Sequence, residues 1–175
     1  MHLKLKRTPG LFIGGFMASG KSTAGRLLAE RLGWHFADVD AGIERDQGCT
    51  IREIFEQQGE AAFREIESAA IRKFINDICR GHPWVLALGG GAFVQEQNWE
   101  LIREHGVTLW LDCSLARIEE RLTHDLTRPL ATDRDRLAQL YHTRQPLYSR
   151  ADYRIDADCD DPAQIVARIL DLPIF

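Results

Sequence analysis

The chain has 175 residues, 45% of them hydrophobic and 27% charged, with a formal net charge of -4. That suits one domain around a single core, and without a run of one sign it argues against a nucleic-acid tail or a membrane-surface patch. Cys49, Cys79, Cys113 and Cys159 lie far apart with no C-x-x-C pair, so neither zinc nor a disulfide framework is expected. The basic start MHLKLKRTPG is followed only by the short apolar LFIGGFMA, and no stretch approaches about 20 apolar residues. The expectation is a soluble, cytoplasmic protein.

Leu11-Phe12-Ile13 reads as a buried strand ending at Gly14-Gly15. Lys21 to Arg31 reads as a helix, with Leu27, Leu28 and Leu32 at helical spacing and Gly33 as its stop. Trp34 to Asp38 is a second strand, Ile51 to Gln58 a short helix, and Glu60 to Arg80 a long one with Phe63, Ile66, Ala70, Phe74 and Ile78 along one face. Trp84 to Leu88 is a fully apolar strand cut off by Gly89-Gly90-Gly91. A helix over Gln95 to His105, a strand over Val107 to Leu111 and a helix over Leu115 to Thr123 follow. Residues 123–133, THDLTRPLATD, are polar and aperiodic. Helix resumes from Arg134 to Ser149, then a strand over Asp152 to Asp156 and a helix over Pro162 to Leu172. Strands alternating with helices, three of them continuous apolar runs, describe a parallel sheet covered on both faces. Ligands on such sheets sit beyond the carboxyl ends of the strands; the Gly-rich segments at 14 and 89 fall there, and so does Asp38.

Gly15-x-x-x-x-Gly20-Lys21-Ser22 fits the phosphate-loop pattern in full, after a strand and opening a helix. Glycines let successive N–H groups turn inward as an anion nest, and the helix N-terminus adds partial positive charge. Lys21 brings a full charge to the β- and γ-phosphates, and the Ser22 hydroxyl can ligate Mg²⁺. Thr23 has at most a minor role at the α-phosphate.

Asp38 and Asp40, two apart in what reads as an extended stretch, would share a face toward the cleft. One could help hold hydrated Mg²⁺, the other could take the proton of an acceptor hydroxyl. Arg64 and Glu67, three apart on a helix, can pair and hold the guanidinium still, although such a pair alone reads as a solvated face. Three glycines at a strand end would admit a substrate close to the backbone. Arg128, in the aperiodic stretch, could close over the phosphates. Arg144 precedes Pro146, whose interruption of the helix could aim it inward. Two converging arginines suit a carboxylate.

Taken together, DVD at 38–40, FREIE at 63–67, GGGA at 89–92, RPL at 128–130 and RQPLY at 144–148 resemble the shikimate kinase family from Gly15 to Tyr148. The resemblance implies one three-layer α/β domain over 1–175, with five parallel strands, helices on both faces as in nucleoside monophosphate kinases, and a mobile lid near 123–133. It implies ATP-dependent phosphorylation of the 3-hydroxyl of shikimate with Mg²⁺, on the route to aromatic amino acids, by a monomer. Asp40 matches the aspartate that binds the ring hydroxyls and acts as base, and Asp38 the one near the metal. Arg64 and Arg144 match the carboxylate-binding pair, and Gly90 the glycine whose backbone meets a hydroxyl. Arg128 matches the lid arginine and Arg121 the arginine against adenine. Phe55 and Phe63 match apolar pocket walls, a core role explaining both equally well. In the phosphate loop Ala18 and Ser19 fill positions the family often gives as Gly and Ala, small enough to keep the cradle. Two rivals stay open on sequence alone: a gluconate kinase of similar architecture, and a nucleotide-binding module without turnover.

Overall fold

The computed structural model describes residues 10–123 and 134–175. The basic amino-terminal extension and most of the expected lid, Arg128 included, lie outside the described residues.

Five strands form one parallel sheet in the order β2-β3-β1-β4-β5. They are β1 (Gly10–Gly15), β2 (His35–Asp38), β3 (Trp84–Ala87), β4 (Val107–Asp112) and β5 (Tyr153–Asp156). Leu11 of β1 stands opposite Val85 on one side and Val107 on the other. All six residues of β1 are buried, which requires cover on both faces of the sheet and accounts for its unbroken apolar sequence. The edge strands HFAD and YRID are more polar and partly exposed. Leu11, Phe12, Ile13, Leu86, Leu109 and Leu111 are fully buried at the centre.

The helices are α1 (Lys21–Leu32), α2 (Val39–Gln47), α3 (Ile51–Cys79), α4 (Glu96–His105), α5 (Leu115–Thr123), α6 (Arg134–Tyr148) and α7 (Pro162–Leu170). Packing pairs α1 with α7, α2 with α3, and α3 with α4. Gly33 caps α1 in the left-handed region, as its sequence position suggests. The two helices expected over 51–58 and 60–80 are one helical run broken at Gly59, whose φ of 83° and ψ of 170° are non-helical. Its start is secured by a capping box between Thr50 and Glu53.

One expectation is corrected. Residues 38–40 are not an extended stretch: Asp38 ends β2 and caps α2, its side chain accepting a hydrogen bond from the Ala41 N–H, and Asp40 lies in the first turn of that helix. The D-x-D spacing hid a helix N-cap, for which aspartate is among the preferred residues. Pro146 lies inside α6, which runs on to Tyr148, as the expected helix over 134–149 does.

Three adjacent strands, β2, β3 and β1, end side by side, and their carboxyl ends carry Asp38, the triple glycine and the phosphate loop. The order of strands in the sheet therefore gathers segments that are far apart in sequence.

Candidate active site

The phosphate loop bridges β1 and α1. Gly20 at the N-cap of α1 has φ 94°, a conformation that glycine adopts without steric penalty. Ala18 has φ 58°, the one described non-glycine residue with positive φ. An alanine at this angle carries a backbone cost of order 1 kcal/mol. Ser19 is fully buried. The Lys21 ammonium donates to the Phe16 carbonyl at 2.7 Å across the loop, so its charge is already folded over the nest.

Ser22 and Asp38 meet directly, the hydroxyl donating to Asp38 Oδ2. Asp40 is half-buried, and its Oδ1 is a buried atom with no hydrogen-bond partner among the described residues. Burial, with the neighbouring Asp38 charge, raises its carboxyl above the ordinary range, while Lys21 and Arg64 pull the other way. A carboxylate held this way is a better proton acceptor than one in water.

Each of the three glycines is pressed by a different side chain. A Cβ on Gly89 would lie 2.5 Å from Asp40 Oδ1, on Gly90 3.0 Å from Arg144 Nη1, and on Gly91 2.6 Å from Arg64 Nη1. Asp40, Arg144 and Arg64 therefore converge on one turn, from α2, α6 and α3. Arg64 is fixed by Glu67 at 3.0 Å and Glu60 at 3.1 Å, and its guanidinium lies over the rings of Phe63 and Phe55. Arg144 lies over the Phe16 ring of the phosphate loop. The Gly90 carbonyl accepts from the Tyr148 hydroxyl at 2.9 Å.

A cavity of about 670 Å³ runs along the strand ends, lined among others by Lys21, Ser22, Thr23, Asp38, Asp40 and Gly90. Its wall also includes Arg121, Cys159 and Asp160. The Arg121 guanidinium donates to the carbonyls of Ala18, at 2.9 Å, and Cys159, at 2.6 Å. Arg64 and Arg144 do not line this cavity; they reach the turn whose Gly89 and Gly90 form part of its wall. Phe63 is buried in the core and Phe55 packs against it at 4.7 Å between ring centroids, so the two stiffen the floor under Arg64.

Sequence reasoning missed three contributors. Glu60 is a second carboxylate on Arg64, legible as an i,i+4 pair at the start of the helix expected over Glu60 to Arg80. The Tyr148 hydroxyl carries no signal separating it from any buried tyrosine. Within 158–162, Cys159, Asp160 and Pro162 line the cavity; the run of aspartates before Pro162 marks only the N-cap of α7, at Asp161.

The match to known proteins follows the same residues. The family model described as shikimate kinase matches residues 17–172. The chain belongs to the shikimate kinase family. A shikimate kinase of Persephonella marina is 38% identical over 161 residues, covering 91% of this chain and 96% of the relative. The structure of a shikimate kinase from Acinetobacter baumannii in complex with shikimate superposes with a TM-score of 0.85 at 34% identity, covering 95% of this chain and 93% of that one. A gluconokinase from Sinorhizobium meliloti superposes with a TM-score of 0.58 at 19% identity over 94% of this chain and 91% of that one, a likeness of fold alone. As a shikimate kinase, the chain is a phosphotransferase that uses ATP and Mg²⁺ to phosphorylate the 3-hydroxyl of shikimate. The five-stranded parallel α/β architecture expected from sequence is the one observed.

The donors present fit Mg²⁺. Ser22 and Asp38 offer hard oxygen ligands in contact beside the phosphate loop. Among the described residues no group of three His, Cys, Asp or Glu side chains gathers as a metal site.

Proposed function

We propose the following division of labour in shikimate phosphorylation. The nest of Gly15, Ala18, Ser19, Gly20, Ser22 and Thr23 binds the phosphates of ATP through N–H groups and the N-terminus of α1. Arg121 borders the adenine end. Ser22 and Asp38 would hold Mg²⁺, which when bound neutralises charge on the β- and γ-phosphates. Arg64 and Arg144 bind the carboxylate of shikimate, and the Gly90 backbone and Asp40 bind its ring hydroxyls.

In the transfer step the 3-hydroxyl oxygen forms a bond to the γ-phosphorus as the bond from that phosphorus to the β–γ bridging oxygen breaks. ADP leaves with the bond's electron pair, and the hydroxyl proton passes to the Asp40 carboxylate. Because the transition state spreads charge over the γ-oxygens, positioning and positive charge dominate catalysis. Lys21 supplies charge here. Arg128 is assigned the same task from the lid by the RPL match, on sequence alone. The observation that carries this reading is the convergence of Asp40, Arg64 and Arg144 on Gly89-Gly90-Gly91.

No helix among the described residues is long and apolar enough to cross a membrane; we assign the enzyme to the cytoplasm and read it as a monomer. ADP release by the purified protein with Mg-ATP, comparing shikimate and gluconate as acceptors, tests the reading. Turnover with shikimate alone supports it. Turnover with gluconate, or ATP binding without product from either acid, overturns it.

A further inference from the structure

Beneath the triple glycine lies a cluster of aromatic rings that takes no part in the roles assigned to Asp40, Arg64 and Arg144. Tyr148 is at its centre, 1% exposed. Its ring stacks on Trp110, with centroids 6.3 Å apart and planes at 25°, and meets Phe93 at 5.9 Å. Phe93 in turn lies hard against Gly14 at the end of β1, where an added Cβ would come within 2.2 Å of its ring. The phenol is therefore held by packing from β4 and from the short 3₁₀ helix Ala92–Val94, itself braced on β1, and its hydroxyl meets both the triple glycine and the Arg144 side chain.

The Tyr148 hydroxyl donates to the Gly90 carbonyl at 2.9 Å. A Cβ on Gly90 would sit 3.1 Å from this hydroxyl and 3.0 Å from Arg144 Nη1, so both side chains press on the same residue. Arg144 and Tyr148 are four apart on α6, the spacing that puts two side chains on one helix face. Glycine imposes little on the peptide units around it. The unit joining Gly90 to Gly91 is planar, so holding its carbonyl sets its orientation between the residue that Arg144 touches and the one that Arg64 touches. Burial pushes the phenol up to about 12, and the group stays a donor at every working pH.

We infer that Tyr148 is a positioning residue for the acceptor, its hydroxyl fixing the Gly90–Gly91 peptide and the Arg144 guanidinium where the shikimate hydroxyl and carboxylate must find them. The inference deepens the acceptor assignment and rests on it.

Tyr148→Phe deletes one oxygen and leaves the ring packing. Losing the donor leaves the Gly90 carbonyl without its partner, so the shikimate KM is expected to rise about fivefold to twentyfold. The kcat and the ATP KM should stay within about twofold, because the hydroxyl touches neither the phosphate loop nor the transferred group. Ile102→Val, which trims a fully buried side chain on α4, provides the comparison: it lowers the thermal midpoint and leaves both KM values as they were. An unchanged shikimate KM in Tyr148→Phe, or a rise shared equally by ATP, overturns the inference. Failure of the acceptor assignment itself registers separately, as an unchanged shikimate KM in Arg144→Ala.

Discussion

The guanidinium of Arg64 lies 3.0 Å from the carboxylate of Glu67, a side chain only 1% exposed. Burial drives the Glu67 carboxyl up to about 7, against the opposing pull of Arg64. An unfolded chain releases this proton near 4.5. Between those values the folded state holds a proton that the unfolded state has lost, so the contribution to stability is full below pH 4.5 and is lost as pH rises through 7. Glu67→Gln removes that loss. In urea unfolding the variant should gain on the wild type by on the order of 3 kcal/mol between pH 4.5 and pH 8. A difference that does not change with pH contradicts the shift.

Truncating one partner of a charge-assisted pair with the substrate carboxylate costs about 2–5 kcal/mol. Arg144→Ala should therefore raise the shikimate KM by about 30-fold or more, with a smaller effect on kcat, in steady-state assays with saturating Mg-ATP. An unchanged KM removes Arg144 from the acceptor site.

Lys21 acts on charge that develops during transfer. Lys21→Ala should lower kcat by about two to three powers of ten, on the scale of 3–4 kcal/mol for a lost transition-state contact. Single-turnover phosphorylation measured by quench reads this directly, and a loss confined to the ATP KM would argue that Lys21 only binds.

The glycines at 89 and 91 are expected to be functional rather than structural. The atoms that an added Cβ would meet are ends of side chains, Asp40 Oδ1 at 2.5 Å and Arg64 Nη1 at 2.6 Å. Those ends can swing away, so Gly91→Ala should fold normally by circular dichroism while its shikimate KM rises at least tenfold, about 1.4 kcal/mol. A normal KM would mean that Arg64 is not needed where it stands.

Ala18 occupies the left-handed region at φ 58°. Ala18→Gly relieves a strain of about 1 kcal/mol and adds back some chain entropy to the unfolded state, so stability in urea should be unchanged or slightly higher, with activity kept. A loss above about 1 kcal/mol would show that the methyl group packs usefully.

Much of this was legible in the sequence because the chemistry lies in short motifs attached to strand ends. The run LFIGG and the loop GGFMASGKST define a strand, a nest and a helix start by local rules alone, and β1 and α1 form there. The pairing of Arg64 with Glu67 follows from helical spacing. What the sequence hid depends on tertiary packing. The α2 helix follows Asp38 so closely that VDAGIERDQ, with no long apolar run, gives little periodicity to read. The bond from Tyr148 to Gly90 joins residues 58 apart and exists because α6 packs against the segment that follows the triple glycine. No local rule reports such a contact.

The central claim is that opposing guanidinium groups at the triple glycine recognise a negative charge on the acceptor. Calorimetric titration of the wild type and of Arg144→Ala with shikimate and with its uncharged methyl ester tests it most directly. The account predicts that the wild type binds the acid at least about 30-fold more tightly than the ester and that Arg144→Ala loses most of that preference. Equal binding of acid and ester by the wild type would contradict it.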